Sequence, residues 1–103
     1  MRYASRVDSN HKEIADRLRE AEYSVLSLAR LGFDAPDLLV GTGLHNLLFE
    51  IKTEKGKLSE GQKEFFKNWR GPKFVVRSKE EALQIASQFL PKPVLPECGV
   101  CSS

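Results

Sequence analysis

The sequence lacks the long apolar segments that would place it in a membrane or mark it for export. None of its apolar runs approaches the roughly 18–20 residues that are needed to span a bilayer. The opening Met1-Arg2-Tyr3-Ala4-Ser5-Arg6 also lacks the apolar core of a signal peptide. We therefore expect a cytoplasmic protein that has no membrane partner.

Cysteine is scarce as well, and its scarcity argues against a self-contained zinc site. The chain has 2 cysteines, Cys98 and Cys101, in a Cys-Gly-Val-Cys sequence near its end. A structural zinc site normally needs four ligands, and the two histidines are far away in sequence. Three prolines before the pair prevent regular structure. We interpret residues 91–103 as a flexible tail with an incidental cysteine pair; a half-site completed by a second subunit is the alternative.

The net charge of +2 is small, but the charges are unevenly distributed. Residues 52–79 carry nine basic and three acidic groups, whereas the segments on either side are each net acidic. A positive segment of this kind suits a polyanion such as nucleic acid. Taken alone, such a cluster is more often a solvated surface.

Length and periodicity predict a single α/β domain over residues 1–90. A chain of 103 residues is large enough for one modest core. Apolar spacing and turn residues predict the order α-β-β-β-α-β-α, with helices covering the faces of a mixed central sheet. The last strand follows a helical crossover, so it should lie parallel to the third strand. The predicted helices span 9–22, 59–69 and 79–89, and the predicted strands span 23–28, 37–40, 47–52 and 73–77.

The most informative feature is a predicted hairpin around Gly41-Thr42-Gly43. If its turn is centred between Gly43 and Leu44, Asp37 lies opposite Glu50. Side chains alternate between faces along a strand, so Glu50 and Lys52 then point the same way as Asp37. These three charges are either ordinary solvated groups on an open sheet face or the beginning of a site for a hard divalent cation.

The second interpretation supports phosphodiester hydrolysis. Asp37 and Glu50 are candidate metal ligands, and the backbone carbonyl of Ile51 is a further candidate oxygen ligand. Divalent ions held by carboxylates generate a nucleophilic water at neutral pH and stabilise charge on the phosphate. Lys52 is a candidate for orienting that water or stabilising the transition state.

Two residues on the helices remain ambiguous from spacing. Asn10-x-x-Glu13 and Ser59-x-x-Gln62 both have the spacing of a capping box, which explains Glu13 and Gln62 structurally. Glu13 also lies beside Ile14 at the border of the predicted buried face, so it could lean over the edge of the sheet. We predict that Gln62 begins the buried stripe of the second helix, which continues through Phe65, Phe66 and Trp69.

An ordered set of short motifs resembles a known family. Pro36-Asp37, Glu50-Ile51-Lys52 and Leu58-Ser59-Glu60-Gly61-Gln62 together resemble the PD-(D/E)xK nuclease superfamily, most closely its VRR-NUC branch. The chain looks like the small stand-alone members found in bacteria and phages, and the resemblance covers about residues 7–86. It also includes Asp8-x-Asn10-x-x-Glu13-Ile14, Gly32, Trp69-Arg70-Gly71 and Val75-Val76-Arg77-Ser78.

The resemblance implies a restriction-endonuclease-like domain that acts as a metal-dependent nuclease. It implies that Asp37 and Glu50 bind Mg²⁺ or Mn²⁺ and that Lys52 is catalytic. Glu13 and Gln62 match the family's additional active-site glutamate and glutamine. One departure is Glu22, at a helix end where such proteins commonly have glycine, and a left-handed conformation there would cost about 1 kcal/mol.

We therefore predict a DNA endonuclease that recognises shape more than sequence, with branched or flapped DNA plausible by similarity to junction-cleaving relatives. We also expect a homodimer, because cutting two strands symmetrically needs two-fold symmetry. The alternatives are a non-catalytic nucleic-acid-binding module on the same fold and a nuclease that acts on RNA. The candidate contacts to the DNA backbone are Lys55, Lys57, Lys63, Lys67 and Arg70.

Overall fold

The computed structural model describes residues 5–89, so the Cys98–Cys101 tail lies outside the described residues. The chain is a small α/β domain with the predicted order α-β-β-β-α-β-α. No helix in the described range is long and apolar enough to cross a membrane. The helices are α1 (Ser5–Glu20), α2 (Glu60–Asn68) and α3 (Lys79–Ser87), and the strands are β1 (Ser24–Ser27), β2 (Leu38–Gly41), β3 (Asn46–Ile51) and β4 (Lys73–Val76).

The four strands form one mixed sheet in the order β1-β2-β3-β4. β2 pairs antiparallel with both β1 and β3, and β4 is parallel to β3, as the crossover predicts. In the hairpin, Leu38 pairs with Phe49 and Gly41 pairs with Asn46. The amide of Thr42 donates to the carbonyl of His45 at 2.9 Å, so the turn is centred between Gly43 and Leu44 as predicted.

One face of the sheet carries the hydrophobic core. Alternation along the hairpin sends Leu38, Val40, Leu47, Phe49 and Ile51 to that face, and all five are buried. They form one cluster with residues of the two terminal helices, α1 and α3, which also contact each other. The helical members of the cluster are Ile14, Ala15, Leu18, Ala82 and Ala86.

Helix α1 begins earlier than predicted and corrects one interpretation. It extends from Ser5 to Glu20, so Asn10 lies inside the helix rather than at its N-cap. The capping box predicted for Asn10-x-x-Glu13 is therefore wrong. Asn10 instead donates from Nδ2 to the backbone carbonyl of Lys52 at 3.4 Å, which links α1 to the end of β3.

The second correction concerns the predicted buried stripe of α2. No residue of this helix is buried: Gln62, Phe65 and Phe66 are half-buried, and the C-cap Trp69 is exposed. The helix ends nevertheless agree with the prediction, because Ser59 caps the first turn and helical hydrogen bonding ends at Trp69. The amphipathic sequence therefore forms a helix, but the core covers its apolar side only in part.

The expected left-handed residue at the end of α1 is present. Glu22 has φ 73°, and its amide bonds to the carbonyl of Arg19 at 2.9 Å in the turn that closes the helix. A side chain with a Cβ is strained in this conformation, whereas glycine adopts it freely.

We expect Glu22→Gly to raise the free energy of unfolding by up to about 1 kcal/mol, because the relief of strain exceeds the added entropy of the unfolded chain. The matched control is Glu20→Gly, which removes the same side chain from the right-handed end of α1 and should lower stability by roughly 0.5–1 kcal/mol. Urea denaturation followed by circular dichroism measures both changes. A loss of stability in Glu22→Gly would contradict the strain argument.

Candidate active site

The register of the hairpin places Asp37 and Glu50 directly opposite each other, at the end where β2 begins and β3 finishes. The strand pairing ends with Leu38 opposite Phe49, so Asp37 and Glu50 come next on the two strands, and the amide of Asp37 donates to the carbonyl of Phe49 at 3.0 Å. The carboxylate of Asp37 accepts a hydrogen bond from the amide of Ile51 through Oδ2 at 2.8 Å. The side chain of Asp37 is thereby fixed against β3 beside Glu50.

Glu50 is a buried carboxylate. It is only 3% exposed, and it points away from the core face, since it alternates with Phe49 and Ile51. Lys52, two residues along the same strand direction, places Nζ 3.4 Å from Oε2 of Glu50. The interpretation of these charges as an ordinary solvated face is therefore wrong, because a solvated glutamate would not be withdrawn from water.

Gln62 joins the same group from helix α2, and it holds the helix cap at the same time. The side-chain Oε1 of Gln62 accepts from the backbone amide of Ser59 at 2.9 Å, and the backbone amide of Gln62 donates to the Ser59 hydroxyl at 3.2 Å. Its Nε2 donates to Oε2 of Glu50 at 3.0 Å. The side-chain amide of Gln62 therefore supports the helix cap through its oxygen and contacts Glu50 through its nitrogen. The two interpretations of Gln62 that the sequence left open are compatible.

The carboxyl group of Glu50 titrates far from its ordinary range. Burial and, after it, the neighbouring Asp37 carboxylate raise the pKa of Glu50 to about 7, although Lys52 acts in the opposite direction. The protonated form of Glu50 is therefore favoured in the absence of a cation. A cation placed beside this carboxyl group would favour its ionised form.

The structure does not bring Glu13 into this group. Its carboxylate instead pairs with Nζ of Lys79 on α3, at 3.4 Å. Helix α1 packs against the core face, whereas Glu50 points to the opposite face. Among the predicted site residues, Asp37, Glu50, Lys52 and Gln62 are together, and Glu13 is not.

Arg77 is a contributor that the sequence analysis did not single out. Its Nη1 lies 2.7 Å from the carbonyls of Thr53 and Gly56 and 3.5 Å from that of Glu54. One guanidinium thus clamps the turn that directly follows Lys52. The signal that could have revealed it is an arginine placed at the end of β4, whose parallel neighbour is the end of β3.

The backbone of Lys52 is fixed on both sides. Its amide donates to the carbonyl of Val76 at 3.0 Å, and its carbonyl accepts from Asn10. Its side chain is only 19% exposed. Strand β4, helix α1 and the clamped turn therefore determine where the ammonium group lies.

The five predicted DNA-contacting residues are exposed and lie close to the group in sequence. Lys63 and Lys67 are four residues apart, so they share one side of α2. Lys55 lies in the turn that Arg77 clamps, and Arg70 directly follows the C-cap of α2. The arrangement leaves these cations accessible to a large anionic partner.

The oxygen donors at Glu50 suit a hard divalent cation that takes only a few of its ligands from the protein. The structure shows two neighbouring carboxylates, from Asp37 and Glu50, which is the number that Mg²⁺ often takes from protein while keeping several waters. Over residues 5–89, no cluster of three or more histidine, cysteine, aspartate or glutamate side chains is arranged to hold a metal. The carbonyl of Ile51 remains a predicted additional ligand.

Comparisons with known proteins add no further constraint. No family model matches the chain, and neither the curated proteins nor the solved structures that were searched gave a match. The site is therefore interpreted from its own geometry.

The raised pKa of Glu50 makes the metal-free protein less stable as the pH rises. The folded state favours the protonated carboxyl, so this contribution to stability is complete below about pH 4.5 and is lost as the pH rises through about 7. We expect Glu50→Gln to remove this loss, leaving the variant more stable than the wild type at pH 8 by on the order of 2 kcal/mol.

Thermal unfolding in EDTA between pH 4.5 and pH 8.5 measures this difference. Glu60→Gln is the matched control, because the Glu60 side chain is 94% exposed and its loss should leave the wild-type pH dependence unchanged. Adding Mg²⁺ or Mn²⁺ at pH 8 should stabilise the wild type but not Glu50→Gln. Parallel pH profiles for the wild type and Glu50→Gln would refute the assignment.

Proposed function

We propose that this chain is a metal-dependent nuclease that hydrolyses phosphodiester bonds in DNA. The observation that carries the proposal is the burial of Glu50 beside Asp37, with Lys52 and Gln62 on the same carboxylate. Burying an ionisable group is costly, and such groups are concentrated at functional sites. The proposal includes the restriction-endonuclease-like fold and the VRR-NUC relationship that the motifs suggest.

The roles proposed for the residues follow from their contacts. Asp37 and Glu50 would hold Mg²⁺ or Mn²⁺, with the Ile51 carbonyl as a further ligand. Such an ion would supply a nucleophilic water at neutral pH and would stabilise charge on the phosphate. Lys52 holds its ammonium group beside this centre, where it orients the water or stabilises negative charge that develops on the phosphate oxygens.

Gln62 acts as a positioning residue. Its Nε2 fixes one oxygen of Glu50, so the other oxygen keeps a defined direction for a ligand. Because its Oε1 is held by the amide of Ser59, the helix cap orients the amide group. Glu13 is left out of the proposed centre, since its carboxylate pairs with Lys79.

Exposed lysines around the centre support DNA as the substrate. Contacts from Lys55, Lys57, Lys63, Lys67 and Arg70 to phosphates would position a nucleic acid without reading its sequence. We accordingly propose selection by DNA structure, with branched or flapped DNA as the substrate. Cleavage of both strands would require a two-fold homodimer.

A substrate panel tests the proposed activity. Labelled duplex, flap, four-way-junction and RNA substrates, each with and without Mn²⁺, distinguish a DNA nuclease from an RNA nuclease and from a non-catalytic binding module. We expect metal-dependent cutting of DNA that falls at least about 100-fold in Lys52→Ala while binding is retained.

Two variants serve as controls for the panel. Lys79→Ala removes the same charge from α3, and Glu13→Gln removes a carboxylate outside the proposed centre; both should cut like the wild type. Cutting without a metal, or unchanged cutting by Glu50→Ala, would refute the proposed centre.

The proposed phosphate contacts predict a change in salt dependence. Replacing Lys63 and Lys67 together by alanine should weaken binding to every DNA sequence and reduce the slope of log K against log salt by up to about 2. Fluorescence anisotropy of labelled DNA at several salt concentrations measures the slope. The matched control is Lys12→Ala with Lys79→Ala, which removes two charges from the other helices; an unchanged slope in the first variant would place the binding face elsewhere.

A further inference from the structure

A groove of about 400 Å³ runs between helix α2 and the loop that precedes β2. The residues of α2 that line the groove are spaced three and four positions apart, so they form one side of the helix. Lys63 and Lys67 lie on a different side. The groove is bounded by Phe33, Asp34, Glu64, Phe65, Asn68 and Trp69.

The helical wall of the groove carries two stacked aromatic rings. The rings of Phe65 and Trp69 are stacked, with their centroids 5.4 Å apart and an interplanar angle of 12°. A methyl group on Gly71 would lie 2.8 Å from Nε1 of Trp69, so the indole rests against a backbone that only glycine leaves open. The indole is nevertheless 45% exposed, which leaves part of it available for contact.

On the opposite wall, the ring of Phe33 is exposed to solvent and the backbone around it is strained. Gly32, Phe33 and Asp34 have φ values of 72°, 56° and 61°, so two side chains with a Cβ stand in the left-handed region. The side chain of Phe33 is 95% exposed and therefore gains almost nothing from burial. Strained positions of this kind are concentrated at ligand-binding sites.

The charges in the groove select against an anionic occupant. Asp34 and Glu64 both line it, and carboxylates repel a phosphate or an acidic peptide. The same oxygens accept hydrogen bonds from amino and ring N–H groups, which nucleobases carry on their edges. The cations of α2 lie outside the groove on another side of the helix, and Arg70 directly follows Trp69. The combination suits a neutral aromatic ring attached to a phosphate backbone.

The groove and the proposed active site meet neighbouring residues of helix α2. Gly61 is part of its lining, and the next residue is Gln62, whose Nε2 bonds to Glu50. A methyl group on Gly61 would collide with the carboxylate of Asp34, so the two walls meet closely at this point. A nucleotide held in the groove would be close, along the DNA strand, to the phosphodiester bond that we propose is hydrolysed.

We propose that this groove binds an unpaired nucleobase, which stacks on Trp69 and Phe33 while its phosphates contact the cations of α2 and Arg70. The inference rests on the proposed function, and it specifies the substrate class: DNA with an unpaired base, such as a flap or a single strand, rather than continuous duplex. Stacking of this kind accepts every base, because each base has an aromatic face.

Trp69 is the only tryptophan of the chain, so its fluorescence reports on the groove directly. Titration of the full chain in EDTA with a 12-nucleotide oligothymidylate should quench this fluorescence, whereas an abasic oligomer of equal length should quench it weakly and bind roughly 5- to 150-fold less tightly. Equal affinity for both oligomers, or no binding of either, would refute the inference.

Phe33→Ala tests the groove without touching a buried residue. It should weaken binding of the oligothymidylate within the same range, and Phe33→Tyr should restore it. The matched control is Leu31→Ala, which removes another exposed apolar side chain of the same loop, 60% exposed and outside the groove, and should leave binding unchanged. Equal losses in Phe33→Ala and Leu31→Ala would refute the assignment of the groove.

The two proposals can fail separately. Binding is measured without metal, so quenching that persists when no substrate is cut would support the groove and refute the nuclease. Cutting of DNA without any difference between the two oligomers would support the nuclease and refute the groove. A second copy of the chain is the competing occupant: a dimer in sedimentation that Phe33→Ala converts to a monomer would also refute base binding.

Discussion

Backbone hydrogen bonds between β2 and β3 hold Asp37 opposite Glu50, and the candidate site depends on this register. A shift of one residue would turn Glu50 toward the core and move Phe49 and Ile51 out of it. The core face therefore favours this position of the carboxylates, because burial of the apolar set is lost when the pairing slips by one residue. The hydrogen bond from the Ile51 amide to Asp37 then fixes the second carboxylate against the same strand.

Helix α2 connects this register to the proposed binding surfaces. It has no buried residue of its own, and its first turn is attached to the sheet through Gln62, which holds both Ser59 and Glu50. A helix placed by its cap leaves its sides accessible. One side carries Lys63 and Lys67, and another carries the stacked Phe65 and Trp69. Incomplete burial, which weakens the helix, is what makes these sides available to a ligand.

Much of the site followed from local rules in the sequence. The turn around Gly43 and the period-two alternation were enough to pair Asp37 with Glu50 and to align Lys52 with them. The Ser59-Gln62 spacing predicted the cap, although spacing could not show that the same amide also reaches Glu50. The pairing of Glu13 with Lys79 was not predicted, because it depends on which face of the sheet α1 covers, and helical periodicity does not specify that face.

By itself, the sequence determined the order of the elements, the hairpin register and the N-cap of α2, since each arises from interactions between residues close in the chain. Only the tertiary structure decided that Glu50 is buried, that Arg77 clamps the turn after Lys52, and that Phe33 faces the aromatic side of α2. These features join segments distant in sequence. Burial and charge pairing depend on the position of those segments in space, which no local pattern contains.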